Sequence, residues 1–428
     1  MKDRPSRRRA FKLMAVLIGL ILALGIGELI CTVLAYVACG TSSVAELHKA
    51  EKSNNFITAL MEQVQCDSYL RTLYPHPYLG FVHCKQGGGD SVNNIGLLGG
   101  RDLPLRRDPS KFTILVTGGS VAAQFAQIGK DGPHYLEDIL NQRYDFGPKR
   151  VVVLNGADGA WKQPQQAIML LLYGDAVDAV CSLDGFNEVL AMENHSRRLE
   201  YPASSFHTVN PIVQGGQEQL AAASLSNALY GWSSRNWVVS HSRLAYYTTK
   251  WLRGRLVRWV QKQAPRAKKE DTSVESLFAL PEDWSQEERD QFSRDQYKKY
   301  ILMMDCMARR MDLKAAFFLQ PVPAVGKKLT AEEKAVVGRT DYGEGYSKLV
   351  QQILELRRQQ VPVFSLLDAF DNCEETLYAD PIHCKRDGPG HGSRGYSILA
   401  ERIAKELERE WGLKPKTAAA PSSRPGAD

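Results

Sequence analysis

The chain has 428 residues, 44% of them hydrophobic and 24% charged. That is an ordinary globular composition, long enough to bury one large core or two smaller ones. The formal net charge of +6 is modest and lies partly at the N-terminus, so it gives no argument for a nucleic-acid partner. No internal repeat and no Cys or His grouping with zinc-site spacing is apparent, and no metal or other cofactor is expected.

Residues 1–12 are basic, with Lys2, Arg4, Arg7, Arg8, Arg9 and Lys12 against Asp3. From Leu13 to Ala38 the chain is apolar except for Glu28 and Thr32. That run is long enough to cross a hydrocarbon core, which needs about 20 residues. Residues 41–47 carry no basic side chain. The positive-inside rule therefore places residues 1–12 in the cytoplasm and everything after residue 38 outside it. A cleaved signal peptide is the alternative, and Ala35-Tyr36-Val37-Ala38-Cys39 weakly resembles a lipoprotein processing site. The length of the run favours an uncleaved anchor across the lipid bilayer over 13–38. Glu28 is costly inside a span and is expected to face a membrane partner or to be protonated.

Residues 39–110 read as a juxtamembrane stalk, helical over 46–64, with a loop-rich lead-in over 76–102. From 111 a repeating pattern sets in. Strands are expected at 112–117, 150–155, 176–183, 314–320 and 361–367, with helices at 121–127, 133–143, 163–172, 290–311, 345–360 and 394–411. Such alternation means right-handed βαβ crossovers and a parallel sheet covered on both faces. A helical insertion over 191–288 interrupts it. The insertion contains Arg243, Tyr246, Tyr247, Lys250, Trp251, Arg253, Arg255, Arg258, Trp259 and Lys262. This face could lie on an anionic membrane, line a groove for an acidic polymer, or simply be a solvated helix face. Residues 413–428 are rich in Pro, Ala and Ser and read as disordered.

Of eight cysteines, Cys31 and Cys39 lie in or at the edge of the span. Cys66 with Cys84, and Cys373 with Cys384, could each close a short loop, worth roughly 3 kcal/mol in the chain-entropy model. Spacing leaves pairing and free thiols equally open. Cys181 and Cys306 read as buried free thiols.

Four stretches fall at or beyond strand ends, where ligands bind in open α/β folds. The first is Gly118-Gly119-Ser120. Its serine could be a helix N-cap, part of an anion site, or a nucleophile. The stretch lacks a dinucleotide or P-loop glycine pattern. The second runs from Asn155 through Gly156, Ala157, Asp158 and Gly159 to Ala160, small enough to bring a backbone N–H close to a ligand. The third is Gly185-Phe186-Asn187-Glu188, offering an amide donor. The fourth is Asp380-Pro381-Ile382-His383, a carboxylate three residues before an imidazole. Each alone could be a turn, a cap or an ordinary loop pair. Four in this order are harder to dismiss.

At these stretches the chain resembles the SGNH/GDSL hydrolase superfamily, over residues 111–407 apart from the insertion. The family's Gly-Asp-Ser matches Gly118-Gly119-Ser120, its Asn and Gly-rich turn match Asn155 to Ala160, its Gly-x-Asn-Asp matches Gly185 to Glu188, and its Asp-x-x-His matches Asp380 to His383 unchanged. The resemblance implies a flavodoxin-like, three-layer α/β/α fold with a five-stranded parallel sheet, preceded here by one transmembrane helix. It implies Ser120 as nucleophile, His383 as base and Asp380 as its orienting carboxylate. The oxyanion hole would comprise the Ser120 N–H, the Gly159 or Ala160 N–H, and Asn187. Gly119 and Glu188 depart from the family by replacing aspartates. His195 and His391 are substitutes for His383, but neither has an aspartate three residues before it.

The implied activity is that of an extracytoplasmic serine esterase or acyl transferase at a bacterial plasma membrane. Its acyl-ester substrate is expected to be an O-acetylated envelope polysaccharide. The alternatives are a lipid-directed esterase and a non-catalytic scaffold or binding protein in an envelope complex.

Overall fold

The computed structural model describes residues 4–53, 73–83, 92–99, 101–126, 134–193, 198–200, 225, 228–263, 278–387 and 392–416. The chain divides into two units, Met1–Arg71 with Thr208–Ser273, and Thr72–His207 with Val274–Asp428. The second unit thus begins well before residue 111. The stretch set apart from it is shorter than the expected 191–288, because Arg198 N–H already donates to the Phe278 carbonyl at 2.8 Å.

Along the chain, the first unit opens with helices α1 (Arg4–Cys39) and α2 (Val44–Ser53). The second begins with β1 (Leu73–His76) and β2 (Gly80–His83), then β3 (Lys111–Gly118), α3 (Ser120–Ala126), α4 (Tyr135–Arg143) and β4 (Tyr144–Asp145). It continues with β5 (Arg150–Ala157), α5 (Gln165–Tyr173), β6 (Ala179–Asp184) and α6 (Phe186–Glu193). The first unit takes up α7 (Trp237–His241) and α8 (Arg243–Gln263). The second closes with α9 (Gln286–Arg310), β7 (Lys314–Leu319), α10 (Ala331–Val337), α11 (Gly343–Leu354), β8 (Val363–Ser365), α12 (Arg394–Trp411) and β9 (Lys414–Pro415).

The main sheet is five-stranded in the order β5-β3-β6-β7-β8, and every pairing is parallel. β3 is central enough to be covered on both faces, so it carries no polar alternation: Ile114, Leu115 and Val116 are all buried. Helices cover both faces. α12 packs on α4, while α5, α6, α9 and α11 pack among themselves. α12 turns Tyr396, Leu399, Ile403 and Leu407 inward at helical spacing. α9 starts at a capping box of Ser285 and Glu288, which satisfies two otherwise orphaned N–H groups. The expected strand over 176–183 starts at Ala179, because Gly174–Ala176 forms a 3-10 turn. The last strand shortens to three residues. The region expected as loop over 76–102 contains most of the β1–β2 hairpin. Register sets the active edge: Gly118 stands level with Ala157 of β5 and Leu183 of β6.

In the first unit, Phe11–Cys39 is long and apolar enough to cross a membrane. Most of α1 is exposed, but Gly27, Glu28, Cys31, Thr32 and Ala35 form a covered stripe at helical spacing. Glu28 meets its own chain there. Its carboxylate accepts from Ser242 Oγ at 2.7 Å and from the N–H groups of Arg243 and Leu244 at 2.8 and 3.0 Å. This carboxylate therefore caps the N-terminus of α8, satisfying donors that helix geometry leaves unpaired.

Cys373 and Cys384 are both unbridged, as are Cys31, Cys39, Cys181 and Cys306. Of the two readings left open for this pair, the structure has the free thiols: Cys384 is buried with its thiol against Gly395, while Cys373 is half-exposed just after a turn. Burial pushes the Cys384 thiol pKa up. Cys306 is exposed rather than buried. Cys66 and Cys84 lie outside the described residues.

A core of this kind makes a sharp contrast testable. Leu115 is fully buried and Leu105 is 93% exposed. In denaturant unfolding of the full chain in detergent, Leu115→Ala should lose about 2–5 kcal/mol. Leu105→Ala should change stability by less than about 0.5 kcal/mol.

Candidate active site

β3 ends at Gly118, and Ser120 is the first residue of α3. Gly118 has φ +150°, and a Cβ there would strike the Leu183 carbonyl and Ala122. Only glycine lets the strand end turn this sharply beside β6. The turn leaves Ser120 half-exposed at the carboxyl edge of the sheet.

The Asp380–His383 loop reaches the same point. His383 Nε2 lies 2.7 Å from Ser120 Oγ. His383 Nδ1 lies 2.8 Å from Asp380 Oδ2. The other carboxylate oxygen, Asp380 Oδ1, accepts the N–H groups of Ile382 and His383 at 2.9 and 2.8 Å. Burial alone would raise the Asp380 pKa, but the His383 ring and these backbone donors outweigh it and hold it at about 2. The loop is closed by a bridge between Tyr378 and Cys384.

Asn187, the second residue of α6, donates its Nδ2 to the Trp161 carbonyl at 2.7 Å. Gly119 explains how. A Cβ at 119 would collide with the Asn187 amide and sit 3.0 Å from the Trp161 carbonyl. The lack of a side chain at Gly119 and the position of Asn187 are thus one feature. The Gly159 N–H is already committed, at 2.7 Å, to Asp158 Oδ1. That carboxylate also faces His83 Nε2 at 3.1 Å. Ala160, the other residue left open by counting, has φ +59°. His195 and His391 lie outside the described residues.

Glu188 has a structural task of its own. Fully buried, it accepts the Gln163 N–H at 2.9 Å and the Gly185 N–H at 3.0 Å. It therefore ties the loop after β5 to the loop after β6. Burial pushes its pKa up, and that of the neighbouring Asp184 further still, since the Glu188 charge adds to desolvation there. Burial likewise lowers Lys162 to about 8, although Glu188 and Glu200 oppose the shift.

Sequence reasoning missed the supports of the histidine loop. Buried Glu333 in α10 accepts the N–H groups of Leu377 and Tyr378 at 2.8 and 3.1 Å. Lys327 Nζ donates to its other oxygen at 3.0 Å. Burial would raise the Glu333 pKa, but backbone and Lys327 donors outweigh it and lower it. Thr330 and Glu333 do form a capping box. That spacing signals a helix start, but nothing local shows that Glu333 also reaches a distant loop. Among the described residues no three His, Cys, Asp or Glu side chains group as a metal site would require.

No family model matches the chain, and no curated protein matches it. Two solved structures are similar in part. One is a presumed acylhydrolase of Bacteroides fragilis, 9% identical, covering 72% of this chain and 91% of its own, with a TM-score of 0.35. The other is a lipase/acylhydrolase of Enterococcus faecalis, 12% identical, covering 72% and 99%, with a TM-score of 0.34. At these scores neither likeness assigns chemistry to this chain, which must come from the distances above.

The depressed Asp380 pKa gives a pH test. Because folding lowers it, ionised Asp380 stabilises the fold in full above its ordinary value of 3.8, and that contribution is lost as pH falls towards about 2. The stability gap between the parent and Asp380→Asn, followed by acid unfolding, should therefore be constant above pH 4 (about the ordinary Asp pKa) and narrow below it.

Proposed function

We propose that the chain is a serine esterase or acyl transferase of SGNH type, held at the outer side of a bacterial plasma membrane by α1. The observation that supports it most is the hydrogen-bonded chain Ser120 Oγ–His383 Nε2 and His383 Nδ1–Asp380 Oδ2, at 2.7 and 2.8 Å. A serine hydroxyl is a weak nucleophile until a base takes its proton. His383 Nε2 accepts that proton while Asp380 holds the other ring nitrogen protonated and stabilises the imidazolium. Ser120 Oγ attacks the ester carbonyl. The tetrahedral oxyanion draws on the Ser120 N–H, the Asn187 amide and the Ala160 N–H, since the Gly159 N–H is held by Asp158. An amide nitrogen carries two hydrogens, so Asn187 can keep its bond to Trp161 and still offer the second. On collapse the alkoxide leaves with the His383 proton, and Ser120 carries the acyl group. Water or an acceptor hydroxyl then attacks, again with His383 as base.

The substrate we propose is an O-acetyl ester on an envelope polysaccharide. A membrane anchor at α1 would hold the site at the envelope, which supports this, and the half-exposed Ser120 supports it by suiting an acyl group on a large carrier.

Nitrophenyl acetate tests the reading in the full-length protein. The parent should give a nitrophenol burst followed by slower turnover. Ser120→Ala should lose the burst and at least about 10³-fold in kcat. Asn187→Ala should keep the burst but lower its rate about 10²-fold. Equal turnover in the parent and Ser120→Ala would remove Ser120 as the nucleophile.

A further inference from the structure

Helix α8 carries a surface with no part in the chemistry above. Its inner side is used within the first unit: Tyr246 is buried with Ala35, Val44, Leu47 and Val239, and Arg253 lies over the Tyr230 ring. The other side faces out. Trp251, Leu252 and Trp259 are 57%, 54% and 58% exposed. Arg255, Leu256 and Arg258 are exposed as well. At about 100° per residue, these six fall on one continuous face about 160° wide. Around the helix the order is Arg258, Trp251, Arg255, Trp259, Leu252, Leu256. Arginine and indole therefore alternate along one edge, and leucines fill the other. Arg255 already lies over the Trp251 ring at 5.3 Å.

Bulk water suits this face poorly, whereas a membrane–water boundary suits it well. Indoles favour headgroup depth, arginine stems lie along apolar surface while their heads reach phosphate, and leucines enter the acyl region. A second observation fits that boundary: Phe11 to Glu28 is about 27 Å of helix, close to the thickness of a hydrocarbon core, so the span can end at Glu28. The first turn of α8 is capped by Glu28, a residue within the apolar Phe11–Cys39 stretch. Leu244 packs at Gly27 beside it. The start of α8 is thus fixed to one level of α1. Trp237 and Val238 of the adjoining α7 are exposed as well.

We propose that α8 is an interfacial helix bound to the leaflet at which α1 emerges, with Trp251, Leu252, Leu256 and Trp259 at the headgroup–acyl boundary and Arg255 and Arg258 on anionic lipid phosphates. α1 and α8 together then mount the first unit at two points, and that mount restrains its tilt as a single span cannot. The inference rests on the reading of α1 as a membrane span.

The test uses the full-length protein in vesicles of phosphatidylcholine, with and without phosphatidylglycerol, containing lipid brominated near the headgroup. Tryptophan quenching is compared among the parent, W251F/W259F and R255Q/R258Q, with circular dichroism as the check on folding. Brominated lipid should quench the parent. The quenched fraction should fall at least about twofold in W251F/W259F, because the interfacial indoles are gone. In R255Q/R258Q it should lose its dependence on phosphatidylglycerol. Equal quenching in the parent and W251F/W259F, with both still resistant to alkaline carbonate extraction, would overturn the α8 proposal and leave the span intact. Shielding of these indoles from aqueous iodide by a soluble polyuronate but not by vesicles would overturn it in favour of an acidic polymer. Release of the parent by carbonate would overturn the span and the α8 proposal with it.

Discussion

The end of β3 approaches its neighbours more closely than any side chain would permit. At Gly118 a Cβ would strike the Leu183 carbonyl, and at Gly119 it would strike the Asn187 amide. Everything at the candidate site depends on this. Without Gly118 the strand could not turn beside β6 and lift Ser120 to the sheet edge. Without Gly119 the Asn187 amide could not rest on the Trp161 carbonyl. The parallel register then supplies the rest, since Ala157 and Leu183 end level with Gly118. Loops following three adjacent strands therefore converge on one serine without any of them being long.

These loops contain little regular structure, and buried carboxylates hold them instead. Glu188 joins the loops after β5 and β6 through two backbone N–H groups. Glu333 grips the backbone just ahead of Asp380 in the same manner. Half-buried Asp380 accepts the Ile382 and His383 N–H groups with one oxygen. Glu137, beneath the sheet edge, accepts the Val153 N–H at 2.9 Å. Burying a carboxylate costs several kcal/mol unless donors surround it. Each donor set here includes backbone N–H groups with few other ways to be satisfied. The cost of burial is thereby converted into a fixed loop shape, the property a nucleophile–base pair needs most.

Much of this was legible in the sequence. The run from Phe112 to Thr117 is apolar without alternation, which only a strand covered on both faces requires, and the strand–helix rhythm after it gave a parallel sheet. Asp380 and His383 were legible because their three-residue spacing lets one carboxylate hold both the ring and its backbone. Glu28 was visible as a charge needing a partner, but its identity was not, since Ser242–Leu244 lie over two hundred residues away along the chain. The same limit hid Glu333 and the His83–Asp158 contact. Those are long-range pairings of a buried carboxylate with a distant loop, and they leave no periodic trace. Cys373 and Cys384 stayed open because a short loop permits a bridge but says nothing of which thiol the core claims.

Fluorophosphonate labelling of the full-length protein, read by peptide mass spectrometry, is the most direct test of the central claim that Ser120 is activated by the His383–Asp380 pair. The account predicts one modified serine, Ser120, in the parent and no modification in a folded His383→Ala variant. Modification at another serine, or Ser120 labelling undiminished in His383→Ala, would contradict it.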